Sequence, residues 1–136
     1  MRHWFLLTIF FGFALLCCKK TADDRPRSKT DYVPIISAFT PRNVILGEQI
    51  RSRVRMGFYS YNADVTFLNF EVKETAARQY AVRAKGFYDN INYEISLPVL
   101  MMFDSTLSVK PAMAGQYLIK FYSSSNLVQT DTVQVN

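Results

Sequence analysis

The chain has 136 residues, the length of a single domain, which excludes a cofactor domain beside a catalytic one. Apolar residues make up 49% and charged residues 20%, which is typical of a packed globular protein. The net charge of +5 lies mostly near the N-terminus, because residues 19–30 hold five basic and two acidic side chains, whereas residues 31–136 hold ten and nine. We therefore expect no nucleic-acid binding, which needs the basic surplus on the folded surface.

The first 18 residues have the pattern of a signal peptide. An apolar run extends from Trp4 to Leu16, and as a helix it would be about 20 Å long, too short to cross a hydrocarbon core of about 30 Å. The segment Leu15-Leu16-Cys17-Cys18 that follows resembles the lipobox of bacterial lipoproteins, with Leu three residues before the modified cysteine and a small residue just before it. The sequence thus predicts a signal peptide over residues 1–17 and lipid attachment at Cys18, with Cys17 as the alternative acylation site.

Residues 18–30 predict a lipidated cysteine followed by a flexible tether, because Lys19 to Thr30 is mostly charged, contains Pro26 and lacks apolar periodicity. Several acyl chains such as palmitate on one cysteine hold a protein firmly on a membrane. We expect the protein in a bacterial cell envelope, anchored in the outer membrane on its periplasmic or surface side.

Residues 31–136 alternate between apolar and polar side chains with period two, and no window has helical periodicity with a cap. Eight strands are predicted, with Pro34 suited to an edge strand, and the polar residues from Ser123 to Asn126 predict a turn between the last two. The predicted strands are Val33–Phe39, Ile50–Tyr59, Leu68–Lys73, Tyr80–Lys85, Ile91–Leu97, Thr106–Lys110, Gln116–Ser123 and Leu127–Val135. This pattern indicates an all-β domain, an immunoglobulin-like sandwich of about seven to nine strands.

Three local patterns make more specific predictions. In the second predicted strand, alternation places apolar residues on the face toward the core and three arginines on the opposite face. In the third predicted strand, Leu68, Phe70 and Val72 share a face. The core-facing residues of the second strand are Ile50, Ser52, Val54, Met56 and Phe58. Gly115-Gln116-Tyr117 opens the penultimate strand, where a tyrosine corner belongs; the alternative is an ordinary inward aromatic side chain.

The order of these features resembles small immunoglobulin-like lipoproteins of Bacteroidota cell envelopes. The resemblance covers essentially the whole chain and implies a fold and a location but no activity. It rests on the lipobox with Lys19-Lys20, the polar tether, Phe39-Thr40-Pro41, Gly47, the segment from Phe67 to Glu74, Gly115-Gln116-Tyr117 and Thr130-Asp131-Thr132-Val133.

His3 is the only histidine, and Cys17 and Cys18 are the only cysteines. Residues 19–136 therefore offer no imidazole base, no thiol nucleophile and no zinc site built from histidine and cysteine. The carboxylates are scattered singly, and Asp89-Asn90-x-Asn92 has too few acidic ligands for a calcium turn. We expect no enzyme, no metal and no cofactor.

Two groups of residues are candidate binding sites. The first is the arginine row, defined as Arg51, Arg53 and Arg55, whose spacing suits an anionic polymer; a solvated strand face is the alternative. The second is the set Tyr59, Tyr61 and Tyr88, which we expect to face outward beside Asn and Asp as a surface for sugars or proteins. Their neighbours Phe58, Phe87 and Tyr93 are predicted to pack in the core.

These observations predict a membrane-anchored, non-catalytic envelope lipoprotein that acts as a binding or structural module. The alternative is an accessory carbohydrate- or anion-binding lipoprotein. The expected partners are the membrane, through the N-terminal lipid, and an envelope protein or polysaccharide.

Overall fold

The computed structural model describes residues 27–60, 64–89, 91 and 99–136, and within these ranges it contains strands and turns but no helix. The all-β prediction is therefore confirmed for the described part of the chain, where no element has the helical length and apolar character needed to span a membrane. Nine strands are described: β1 Lys29–Val33, β2 Ile35–Phe39, β3 Asn43–Val44, β4 Ile50–Ser60, β5 Asp64–Ala76, β6 Gln79–Asp89, β7 Val99–Val109, β8 Gly115–Ser123 and β9 Asn126–Val135.

The strands form two sheets with the core between them. The small sheet has the order β2-β4-β7, and both pairings are antiparallel. In the large sheet, β5 pairs with one edge of β6, while β1 and then β8 pair with the other; β9 and β3 follow beside β8. Both sheets contribute fully buried side chains to the core: Val33, Ile50, Val54, Met56, Val82, Ala84, Ile119, Phe121, Val133 and Val135.

Pro34 divides the predicted strand 33–39 into two strands that belong to different sheets. β1 pairs with β6 in the large sheet, whereas β2 pairs with β4 in the small sheet. Proline has no N–H to donate to a sheet, so the chain can change sheets at this residue without losing a ladder hydrogen bond. The Pro34 carbonyl still accepts a bond of 3.0 Å from the Gly57 N–H.

The structure of β5 differs from the prediction for one face of the strand. A bulge between Phe67 and Asn69 leaves Leu68 without a partner on β6, so Phe67 and Phe70 turn toward the core and Leu68 is exposed. An extra residue in one strand reverses the alternation beyond it. The prediction that Leu68, Phe70 and Val72 share a face is therefore wrong for Leu68; Val72 lies opposite the buried Val82 and keeps the side of Phe70, although it is 40% exposed.

The predicted tyrosine corner is present at the start of β8. The Tyr117 hydroxyl donates a hydrogen bond of 2.9 Å to the Met113 carbonyl and accepts a longer one of 3.3 Å from the Met113 N–H. Tyr117 is buried, and its ring stacks on that of Tyr80 with 6.2 Å between centroids. The predicted C-terminal hairpin is also confirmed, since β8 and β9 pair from Ser123 and Asn126 onward.

Two glycines lie where neighbouring side chains approach the backbone closely. A Cβ at Gly86 would lie 2.5 Å from Cγ2 of Val33, which is fully buried. A Cβ at Gly57 would lie 2.5 Å from Cδ1 of Ile36, which is exposed. Glycine lets each strand pack against its neighbour at these two points.

The chain enters the sandwich at the end where β4 finishes. Lys29 pairs with Tyr88, near the end of β6, and Asp64 pairs with Asp89. Ser60 pairs with Val99, and only three residues separate it from Asp64 in the chain, so these strand ends are neighbours. We call this end of the sandwich the tether end.

Candidate functional site

The arginine row lies on the outer face of the small sheet, as predicted. Along β4, Ser52 and Val54 point into the core while Arg51, Arg53 and Arg55 are exposed. The register places Ser108, Thr106 and Asp104 of β7 beside the three arginines on one side, and Phe39 and Ser37 of β2 beside Arg53 and Arg55 on the other. The outward residues of β2, β4 and β7 together form what we call the outer face.

The guanidinium group of Arg55 forms a bidentate ion pair within the chain. It is therefore not free to bind an external anion as part of the arginine row. Its Nε and Nη2 atoms donate to the two carboxylate oxygens of Asp104 at 3.0 and 3.2 Å. This contact raises the pKa of Arg55 and lowers the pKa of the Asp104 carboxyl. Both side chains are exposed, so the pair adds little stability, but it neutralises one of the three charges.

Arg51 and Arg53 have no hydrogen-bond or ion-pair partner among the residues that the structure describes. Phe39 lies beside Arg53 and is 76% exposed, the largest fraction of any large apolar side chain described. Together with Thr106, these three residues line an open hollow of about 390 Å³.

Phe39 is not among the binding residues that the sequence predicts. Alternation from Ile35 would bury it, but an irregularity between Ile35 and Ser37 turns Ala38 inward and Phe39 outward. No simple sequence signal marks this irregularity.

The outer face becomes apolar toward the tether end. Beyond Arg55, β4 continues outward with Gly57, against which Ile36 lies, and with Tyr59, which is 64% exposed. Their partners on β7 are Met102 and Leu100, both about half exposed. The outward placement of Tyr59 is confirmed.

The prediction that Tyr88 faces outward is wrong, because its side chain points inward. Its ring lies edge-on to that of Phe58, with 5.8 Å between centroids, and its hydroxyl donates to the Tyr32 carbonyl at 3.1 Å. Burial raises the pKa of Tyr88. Phe87, predicted to lie in the core, is 37% exposed. In β6 the inward positions alternate regularly through Val82, Ala84 and Gly86. Tyr88 is the next inward position, and Phe87 therefore points outward.

The predicted tyrosine set is therefore not assembled as one surface. Tyr59 lies on the outside of the small sheet, whereas Tyr88 lies between the sheets. The core position of Phe58 is confirmed. Tyr61, Tyr93 and the predicted lipid-attachment site Cys18 lie outside the described residues, as does nearly all of the predicted strand 91–97.

Two cations of β6 in the large sheet, Lys85 and Arg83, have partners, unlike Arg51 and Arg53. Glu71 accepts a hydrogen bond of 2.7 Å from the Tyr32 hydroxyl and lies 3.0 Å from Lys85 Nζ. The Tyr32 bond, and next the Lys85 bond, lower the pKa of Glu71, while the same Tyr32 bond raises the pKa of Tyr32. Arg83 lies over the rings of Tyr32 and Tyr122, with its Cζ 5.6 and 5.3 Å from their centroids.

A second polar hollow, of about 380 Å³, includes Asp131. Asp131 Oδ1 accepts a bond of 2.6 Å from Gln129 Nε2, while the buried Oδ2 has no hydrogen-bond partner in the described part of the chain. The Gln129 amide exchanges two hydrogen bonds with the Ala38 backbone, at 2.7 and 3.0 Å. Asp131 thus helps to position a side chain that connects β9 with β2 across the two sheets.

No three histidine, cysteine, aspartate or glutamate side chains approach one another as metal ligands would within residues 27–60, 64–89, 91 and 99–136. Comparison of the chain with models of known families, with curated proteins and with solved structures finds no match.

Proposed function

We propose that the protein is a lipid-anchored, non-catalytic module of a bacterial cell envelope that serves in binding or structure. The observation that carries this proposal is the segment Leu15-Leu16-Cys17-Cys18 after a short apolar run. It is supported by the polar residues 19–26 that precede the described domain, which begins its first strand at Lys29. The location we propose is the outer membrane, on its periplasmic or surface side.

The non-catalytic part of the proposal is supported by the absence of histidine and cysteine from residues 19–136. The likeness to immunoglobulin-like lipoproteins of Bacteroidota is part of the same proposal. It is supported by the tyrosine corner at Tyr117 and by the pairing of β8 with β9 and of β9 with β3. One difference is that β6 lies parallel to β8, where an immunoglobulin sheet has strand C beside F.

The anchor can be tested by expressing the chain in a bacterium and measuring the mass of the mature protein from the membrane fraction. We expect a protein that begins at Cys18 and carries acyl chains. Cys18→Ala should abolish the acyl mass and release the protein from membranes, whereas Cys17→Ala, the matched control, should leave both unchanged because alanine suits the position before the cleavage site. A mature wild-type protein without fatty acid would refute the proposal.

A second candidate function is accessory binding of an acidic polysaccharide. One observation favours it: Arg51 and Arg53, unpaired within the described chain, flank an exposed aromatic ring at an open hollow. Guanidinium groups bind carboxylates, and aromatic faces stack on sugar rings. Retention of the wild type on a uronic-acid polymer, lost in Arg51→Ser/Arg53→Ser but not in Arg83→Ser, would support this candidate; equal retention of all three proteins would exclude it.

A further inference from the structure

We infer that the outer face of the small sheet lies against the surface of an anionic lipid bilayer. This inference rests on the lipid anchor of the proposed function and adds an orientation to it. It assigns the exposed residues of one sheet to contact with phospholipid headgroups and the upper part of the acyl chains.

The first argument is the charge of the outer face. Among the outward residues of β2, β4 and β7 that the structure describes, Asp104 is the only acidic one, and Arg55 neutralises it. Arg51 and Arg53 remain as net positive charge. Basic side chains held near an anionic membrane surface are attracted to it, and the attraction falls within a Debye length.

The second argument is the exposure of apolar side chains on the same face. Phe39 and Tyr59 are 76% and 64% exposed, and Ile36, Leu100 and Met102 are each about half exposed. Aromatic side chains with long apolar neighbours and nearby arginines are typical of the membrane interface, where apolar groups leave water while charged groups stay near it.

The third argument is the length of the tether and the place where it joins the domain. Ten residues separate Cys18 from Lys29, and even fully extended they reach at most about 35 Å. β4, with 11 residues, is about 36 Å long. The tether joins at the end where Tyr59 and Leu100 lie. An anchor at Cys18 therefore keeps the whole outer face within reach of the bilayer.

A membrane accounts for more of this surface than an acidic polysaccharide does. A polysaccharide would use Arg51, Arg53 and Phe39 but would leave Ile36, Leu100 and Met102 exposed to water. These three apolar side chains offer sugar hydroxyls no strong hydrogen-bonding group. A lipid surface satisfies the charged and the apolar parts together.

The test uses tryptophan fluorescence, because Trp4 is the only tryptophan of the chain and lies in the predicted signal peptide. Trp4→Phe in every variant removes this residue as a source of signal. Phe39→Trp then places one fluorophore on the outer face, and Phe87→Trp, the matched control, places one on the outside of the large sheet. Both acylated proteins are reconstituted on vesicles that contain phosphatidylglycerol and phosphatidylcholine with brominated acyl chains, which quench nearby tryptophan.

We expect emission from Trp at position 39 to shift to shorter wavelength and to be quenched several-fold more than emission from position 87. Adding Arg51→Gln/Arg53→Gln should lower the ratio of molecules whose outer face contacts the bilayer to molecules in other orientations, by about fivefold for each arginine. Vesicles of phosphatidylcholine alone should lower the same ratio for the protein that keeps both arginines. Lys73→Gln, a charge removed from β5 in the large sheet, should have no such effect.

Equal quenching at positions 39 and 87 in an acylated protein would overturn the inference while leaving the anchor intact. A mature protein without acyl mass would refute the anchor itself. Emission at position 39 that responds to a soluble uronic-acid polymer but not to brominated anionic vesicles would also overturn the inference, in favour of the polysaccharide candidate.

Discussion

Replacing Tyr117 with phenylalanine should destabilise the domain by removing one buried hydroxyl. That hydroxyl is the only side-chain link that the structure describes between β8 and the backbone of Met113, through bonds of 2.9 and 3.3 Å. A typical hydrogen bond contributes about 0.5–1.5 kcal/mol net, and the longer bond is the weaker of the two. Because the phenyl ring keeps its stacking on Tyr80, we expect a loss of about 1–2 kcal/mol.

The assay is urea and thermal unfolding followed by circular dichroism. A loss of about 1 kcal/mol lowers the Tm of a domain of this size by about 4 °C, so Tyr117→Phe should lower it by about 4–8 °C. Tyr59→Phe, which removes a hydroxyl from a ring that is 64% exposed, is the control and should change stability by less than about 0.5 kcal/mol. If both variants unfold at the wild-type temperature, the tyrosine corner does not stabilise this fold.

Three further substitutions test other contacts. Glu71→Gln should make the free energy of unfolding less dependent on pH. Hydrogen bonds hold the pKa of Glu71 in the folded protein below its ordinary value of 4.5. The ionised Glu71 therefore stabilises the fold above pH 4.5, and this stabilisation is lost as the pH falls through the lower folded pKa. Ser52→Ala should lower the free energy of unfolding by about 1 kcal/mol, because it removes the acceptor of the hydrogen bond that the Thr40 hydroxyl donates at 2.8 Å. Adding Thr40→Val should recover most of that loss, because it removes the hydroxyl that was left without a partner. Gly86→Ala should cost about 1–3 kcal/mol by overpacking a buried valine, and Gly57→Ala should cost less, since the isoleucine that it meets can turn into solvent.

Urea midpoints measure all three effects. For Glu71→Gln the comparison is between about pH 6 and about pH 3, and a midpoint that falls with acid as steeply as in the wild type would contradict the pKa argument. A double variant of Ser52 and Thr40 that loses more stability than Ser52→Ala alone would show that the hydroxyl pair is not the relevant contact. Equal losses at Gly86 and Gly57 would mean that neighbouring side chains do not decide the cost.

Alternation with period two was enough to predict the regular strands. In β4 the residues from Ile50 to Phe58 face the core at every second position, and no bulge interrupts pairing with β7. The turn before β9 and the tyrosine corner were also predictable, because polar turn residues and Gly-x-Tyr are local signals. Predictions for these elements succeeded because each depends only on neighbours in the sequence.

Leu68 and Tyr88 face the opposite way from the prediction, and the two errors have different causes. Leu68 is the extra residue of a bulge, which depends on how β5 pairs with β6 and leaves no mark in the hydropathy pattern. Tyr88 continues the alternation of β6, so extending the pattern from Val82 through Gly86 would have placed it inward. The ion pair of Arg55 was not predictable as a specific contact, because Asp104 lies 49 residues away.

The character of the outer face depends on two breaks in regular pairing within a short stretch of chain. Pro34 ends β1, so the chain passes to the small sheet, and the irregularity after Ile35 turns Phe39 to the outside. With a regular β2, Phe39 would point into the sandwich, and Arg53 would have no aromatic neighbour on that strand. Neither break alters composition, charge or mean hydropathy. Only the pairing register of the folded chain therefore shows that an exposed aromatic ring and two arginines without described partners occupy one surface.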